Sequence, residues 1–167
     1  MADLDRIDIR LLELLQADSS LTLETLATEV GLSMSACHRR VRILERDTII
    51  DGYGARIGAA KLGLALSAFV HIVLNDPSPD AMATFERAVA AMDDVIECHL
   101  FAGSGEYLLR VQTTDMAEFD AIHRERLARL PHVGSMTPRF VGRTIKSWQG
   151  VSLSRLGMRK MPPHDGS

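Results

Sequence analysis

The sequence predicts an α+β chain in two parts: three helices and a small wing over residues 1–57, then a β-α-β-β-α-β unit over residues 65–153. Three observations carry this expectation. Apolar residues recur at helical spacing in three stretches before residue 47, with short polar breaks between them. Beyond residue 64 they alternate instead, in short runs interrupted by two further helical stretches. Between the two patterns lies the Gly- and Ala-rich stretch from Gly58 to Gly63, which reads as a linker over 58–64.

Leu4 to Gln16 reads as the first helix, with Ile7, Leu11, Leu14 and Leu15 on one stripe. Asp5 suits the N-cap, and Asp8 places a favourable negative charge in the first turn. Asp18-Ser19-Ser20 breaks the pattern. Thr22 to Val30 is a shorter helix whose inward face is Leu23, Leu26, Ala27 and Val30. Gly31 follows where a left-handed C-cap residue belongs. Ser33 caps a third helix running to Glu45 or Arg46, with Cys37, Val41 and Leu44 turned inward. Its other face carries Ser35, His38, Arg39 and Arg42. Residues 49–57 predict two short extended pieces around a glycine turn, the wing.

In the second part, residues 65–74 alternate as a strand, and Asn75-Asp76-Pro77 ends it. Ser78 and Pro79 suit N-cap and N1 of a helix through Met92, with Met82, Phe85 and Val89 inward. Strands are predicted at Val95–Phe101 and Tyr107–Thr113, joined by the turn Ala102 to Glu106. Asp115 and Glu118 form a capping pair for a helix through Leu130, with Phe119, Ile122 and Leu127 on its apolar face. Pro131 stops it, Val133 to about Gly142 is a fourth strand, and 145–153 adds a short edge element. This order is the ferredoxin-like split βαβ unit, an antiparallel sheet with both helices on one face. The strands look apolar on both faces, so a second subunit is expected to cover the open one. Residues 154–167 read as a flexible tail.

Hydrophobic residues at 46% and charged residues at 25% exclude global disorder. No apolar run reaches the roughly 18 residues of a membrane span. The acidic start Met1 to Asp5 lacks the features of a signal peptide, so a cytoplasmic location is expected. The two cysteines, Cys37 and Cys98, are far apart and read as free thiols. A net charge of −3 argues against coating nucleic acid by bulk charge. It leaves room for a reader whose arginines are concentrated in one place.

They are concentrated on the third helix. Helix, Gly31-Leu32-Ser33, helix is the spacing of a helix-turn-helix, and an α-helix fits the major groove of B-DNA. An arginine there can bond two acceptors of guanine at once. The candidate contacts to double-stranded DNA are Ser33, Met34, Ser35, His38, Arg39, Arg40 and Arg42, with Arg40 and Arg46 better placed for phosphates. The competing reading is a solvated arginine face on an ordinary bundle. The arginines alone do not decide; the turn, the buried triplet and the wing favour DNA.

Gly103, Ser104, Gly105, Glu106 and Tyr107 form a second constellation. Glycine backbone N–H groups can hold a carboxylate, and Glu106 can hold an ammonium, so the segment could recognise an amino acid. A plain hairpin is the simpler reading of the same residues. Cys98-His99 and Cys37-His38 do not make metal sites, because adjacent residues point apart in a strand and do not face each other on a helix. No nucleophile with base and orienter, phosphate loop or paired carboxylates is evident, so no catalytic residue, cofactor or metal is expected. An enzyme on the ferredoxin-like unit and an architectural oligomer indifferent to effectors are the alternatives.

Taken together, several motifs in order resemble the Lrp/AsnC family of regulators. They are Leu4-Asp5-Arg6-Ile7-Asp8, Val30 to Ser33, Arg40 to Glu45, Ile50-Asp51-Gly52-Tyr53, Glu97-Cys98-His99, Gly103 to Leu108 and Leu130 to Val133. The resemblance covers about residues 4 to 153. It implies a RAM/ACT-like C-terminal domain and a non-enzymatic regulator that forms homodimers assembling further, often to octamers. It also implies an amino-acid effector between dimers, and adds Val133, Gly134, Ser135, Met136 and Thr137 to the effector-binding candidates. Three positions depart from the family pattern. Met34 stands where Pro is frequent, Glu106 where Asp is usual, and Thr48 where Gly is common at the helix end. Thr is poor at positive φ, so that helix end is expected to be built differently.

Overall fold

The structure, a computed structural model, describes residues 4–103 and 105–153. Ser104 and the tail at 154–167 lie outside the described residues. The chain divides into two compact units, one holding the described residues up to 56 together with those from 146, the other 57–145.

The first unit is built on α1 (Arg6–Ala17), α2 (Leu23–Val30) and α3 (Met34–Arg46). Each starts on a side-chain cap. Asp5 accepts from the N–H groups of Ile7 and Asp8 while Asp8 reaches back to the Asp5 N–H; Thr22 and Ser33 accept from Thr25 and Ala36. Gly31, at φ 68, turns the chain out of α2. The core gathers Leu11, Leu12, Leu26, Ala27, Cys37, Val41 and Leu44. Leu12, outside the expected stripe, is buried beside Leu11. Thr48 does adopt a left-handed conformation, with φ 53, despite its β-branched side chain. The Leu44 carbonyl, which accepts from both Ile49 and Ile50 at 2.9 and 3.0 Å, fixes the chain there.

Two expectations fail in this unit. Residues 49–57 form no strand, so the helix-turn-helix has no wing among the described residues. The amides of Ile49 and Ile50 are spent on the end of α3, and Asp51, Gly52 and Gly54 are poor strand formers. Nor does 145–153 add an edge strand to the sheet. Leu153 is 7% exposed within the helical core, and the Gln16 side chain brackets Val151, donating to its carbonyl at 2.8 Å and accepting from its N–H at 3.0 Å. The second unit therefore ends near residue 145, not 153.

That unit contains β1 (Leu66–Leu74), α4 (Pro79–Ala90), β2 (Val95–Phe101), β3 (Glu106–Thr113), α5 (Met116–Glu125) and β4 (Val133–Phe140). The linker contributes a short 3-10 helix at Ala59–Leu62. The sheet is antiparallel in the order β2-β3-β1-β4. Strict alternation sends Ala68, Val70, Ile72 and Leu74 of β1, and Tyr107, Leu109 and Val111 of β3, into a core closed by Phe85, Val89, Phe119, Ile122 and Leu127. α5 ends at Glu125, earlier than expected, and a 3-10 turn at Leu127–Arg129 still buries Leu127 and Leu130.

The open face of the sheet is less apolar than the alternation suggested. Phe69, Val73 and Leu108 are interleaved with an ion pair between Arg110 and Glu97 at 2.7 Å and a hydrogen bond between His71 and Glu106 at 2.9 Å. The Arg110 guanidinium also lies 5.9 Å from the centre of the Phe69 ring.

Candidate nucleic-acid interface and ligand-binding end

On α3, Ser35, His38, Arg39 and Arg42 are all exposed and fall at i, i+3, i+4 and i+7, one face of the helix. Met34, 56% exposed, stands at the start of that helix beside Ser33, whose hydroxyl is occupied as the cap. Arg40 is elsewhere. Its Nη1 donates to Asp5 at 2.7 Å and to Asp8 at 2.8 Å, clamping α3 to the start of α1. Burial alone would raise the Asp5 carboxyl, but the Asp8 N–H and Arg40 outweigh it and hold that carboxyl below its ordinary range. Arg40, bonded by the two aspartates, is pushed up in turn. The structure thus gives Arg40 a framework contact, which its place in an arginine run could not reveal. Arg46 pairs with its neighbour Asp47 at 2.7 Å.

At the far end of β1 the second constellation comes together. Val73 pairs with Glu106 on one side and with Ser135 on the other, and Leu74 pairs with Val133. The two candidate segments, distant in sequence, therefore flank the same strand end. Their backbones pack closely on the turn after β1. A Cβ on Gly105, whose φ is 65, would lie 2.8 Å from the Pro77 Cβ, and one on Gly134 would lie 3.0 Å from the Asn75 nitrogen. His132 adopts φ 60, and its carbonyl accepts the Asn75 N–H at 2.9 Å.

The side chains of these segments divide between the two sheet faces. Glu106, Ser135 and Thr137 lie on the open face, where Glu106 bonds His71. Tyr107, Met136 and Val133 turn toward the core side. Tyr107 is 1% exposed and its hydroxyl donates to Glu86 at 2.8 Å; burial, then Glu86, pushes its pKa well up. It cannot share a ligand with Glu106 through its side chain. Gly103, with φ 89, is exposed. His71, alone in an otherwise apolar strand, lies on the open sheet face as a sheet-face residue should, and its bond to Glu106 is the part the sequence did not reveal. Cys98 and His99 pair with Leu109 and Leu108 on opposite faces.

A helix-turn-helix with an arginine-bearing third helix, followed in the chain by a separate βαββαβ unit, defines a DNA-binding transcription regulator with a ligand-binding domain. The AsnC-type helix-turn-helix domain matches residues 4–45, and the Lrp/AsnC ligand binding domain matches residues 67–151. The chain belongs to the Lrp/AsnC family. It is 39% identical over 144 residues to the leucine-responsive regulatory protein of Escherichia coli K12, covering 86% of this chain and 88% of that one. Among solved structures it is similar to a Neisseria meningitidis transcriptional regulator in complex with L-Met, with 31% identity, a TM-score of 0.86 and coverage of 92% and 99%. It is equally similar to an AsnC family transcriptional regulator from Agrobacterium tumefaciens, at 30% identity and a TM-score of 0.85 over 92% and 99%.

Proposed function

We propose that the chain reads operator DNA with Ser35, His38, Arg39 and Arg42 of α3 and that an amino acid bound at the end of β1 modulates this binding. The DNA reading is carried by the exposed face of α3, on which Arg39 and Arg42 stand one turn apart. Loss of one bidentate guanine contact removes about 1–3 kcal/mol of discrimination. Arg39→Ala and Arg42→Ala are each expected to narrow the affinity gap between a selected genomic duplex and its scrambled version, read by fluorescence anisotropy. Unchanged discrimination in both variants means that another surface reads the bases.

The effector reading is supported by the convergence of Gly105–Glu106 and Val133–Thr137 on one strand end. A glycine turn supplies N–H groups for a carboxylate, and Glu106 supplies a negative charge for an ammonium. Glu106 already bonds His71 through Oε2, so an effector ammonium shares or displaces that contact. L-Met, bound by the Neisseria relative, is the first compound to test, by thermal shift across the amino acids. Glu106→Gln is expected to weaken the response to the compound found while leaving effector-free DNA binding intact. A response equal to the parent's removes Glu106 from the ammonium role.

In this reading the chain acts in the cytoplasm as a homo-oligomer without catalytic activity, a dimer assembling further and as far as an octamer. A second copy covers the open face of the sheet, whose Phe69, Val73 and Leu108 are only half-buried within one chain. Light scattering that finds a monomer at tens of micromolar would exclude this arrangement. No helix among the described residues is long and apolar enough to cross a membrane.

A further inference from the structure

The last turn of α3 holds a contact that the DNA reading leaves unused. Glu45 divides its carboxylate between two elements. Its Oε2 accepts from Arg42 Nη1 at 3.1 Å, and its Oε1 accepts from the Tyr53 hydroxyl at 3.0 Å. The Arg42 side chain is 70% exposed and that of Glu45 only 29%, so the acid is the seated partner and the arginine the one that reaches outward. Tyr53 comes from the segment after the helix, beyond the turn at Thr48. Burial and then Glu45 push its phenol up to about 12.

A free guanidinium on a recognition face binds any phosphate it reaches. Guanidinium has five N–H donors, so Arg42 can keep one on Glu45 and turn the rest of its fork toward a base edge. A phosphate contact is different. It brings a second anion against the Glu45 carboxylate, and the like charges repel. We propose that Glu45, seated by Tyr53, is the positioning and specificity-determining partner of Arg42, disfavouring phosphate-only contacts more than base contacts. This rests on the reading that Arg42 faces DNA.

The test is anisotropy with the full chain, using a selected genomic duplex and its scrambled version over a series of salt concentrations. Glu45→Gln is expected to tighten binding to the scrambled duplex about 2- to 5-fold, the range of an exposed ion pair. It should steepen the salt dependence by about one phosphate contact and reduce discrimination. Tyr53→Phe, which removes a single oxygen and keeps the test open should Glu45→Gln fold poorly, should shift discrimination in the same direction by less. In an Arg42→Ala background the Glu45→Gln effect should vanish. An equal change on both duplexes, or an effect that persists without Arg42, overturns the inference alone. Full discrimination by Arg42→Ala overturns this inference; the DNA reading falls with it only if Arg39→Ala also discriminates fully.

Discussion

Arg40 and Arg42 are two residues apart, yet one clamps the fold and the other points outward. The sequence showed an arginine cluster and a helical period, but not that Asp5 and Asp8 sit where Arg40 reaches, because that contact spans more than thirty positions. Arg40→Ala is therefore expected to lower stability by about 1 kcal/mol, seen in thermal denaturation, with little change in discrimination between DNA sites. The same clamp has a pH signature. The folded Asp5 carboxyl lies below its ordinary value, so its contribution is fully present above the unfolded carboxylate range, near pH 4. It is lost as pH falls through the lower folded value, and the acid side of the stability curve should flatten in Arg40→Ala. Glu106 and Tyr107 carry a related lesson. The sequence places Glu106 in the turn and Tyr107 in the strand, whereas β3 begins at Glu106, so alternation sends the two side chains to opposite faces.

Among the elements, those defined by local periodicity and caps were legible. Asp5, Thr22, Ser33, Ser78 and Asp115 all cap the helices expected of them. The β-α-β-β-α-β order was legible too, whereas the nearness of Val133–Thr137 to the glycine turn was implied only by the family resemblance. The missing wing was not, because whether 49–57 pairs as strands depends on where its amides find acceptors, and those of Ile49 and Ile50 find the Leu44 carbonyl. The same turn holds Thr48 at φ 53, a conformation that costs an L-residue roughly 1–2 kcal/mol. Glycine avoids that cost but adds freedom to the unfolded chain. Thr48→Gly is expected to stabilise the first unit by about 0.5–1 kcal/mol net, raising the melting temperature measured by circular dichroism. A lower melting temperature would show that the Thr48 hydroxyl, bonded to the Asp47 carbonyl at 2.8 Å, outweighs the strain.

At the scale of the whole molecule, the feature hardest to read was the return of 146–153 to the first helices. Periodicity works within about ten residues, whereas Gln16 and Val151 are 135 apart in sequence. Leu153 occupies a core position there, and Leu153→Ala is expected to cost the first unit about 2–3 kcal/mol, measured by guanidinium unfolding. An unchanged midpoint would mean that the helices are complete without it. The return also orders events in time. Chains leave the ribosome at roughly 5–20 residues per second, so about 5–20 seconds separate the emergence of residue 56 from that of residue 153. Throughout that interval the helices that bear Arg39 and Arg42 are made but lack Leu153, and the Gln16 amide has no Val151 to bracket. The ligand-binding unit is synthesised in the meantime, so the DNA-binding unit, first to be translated, is the last to be finished.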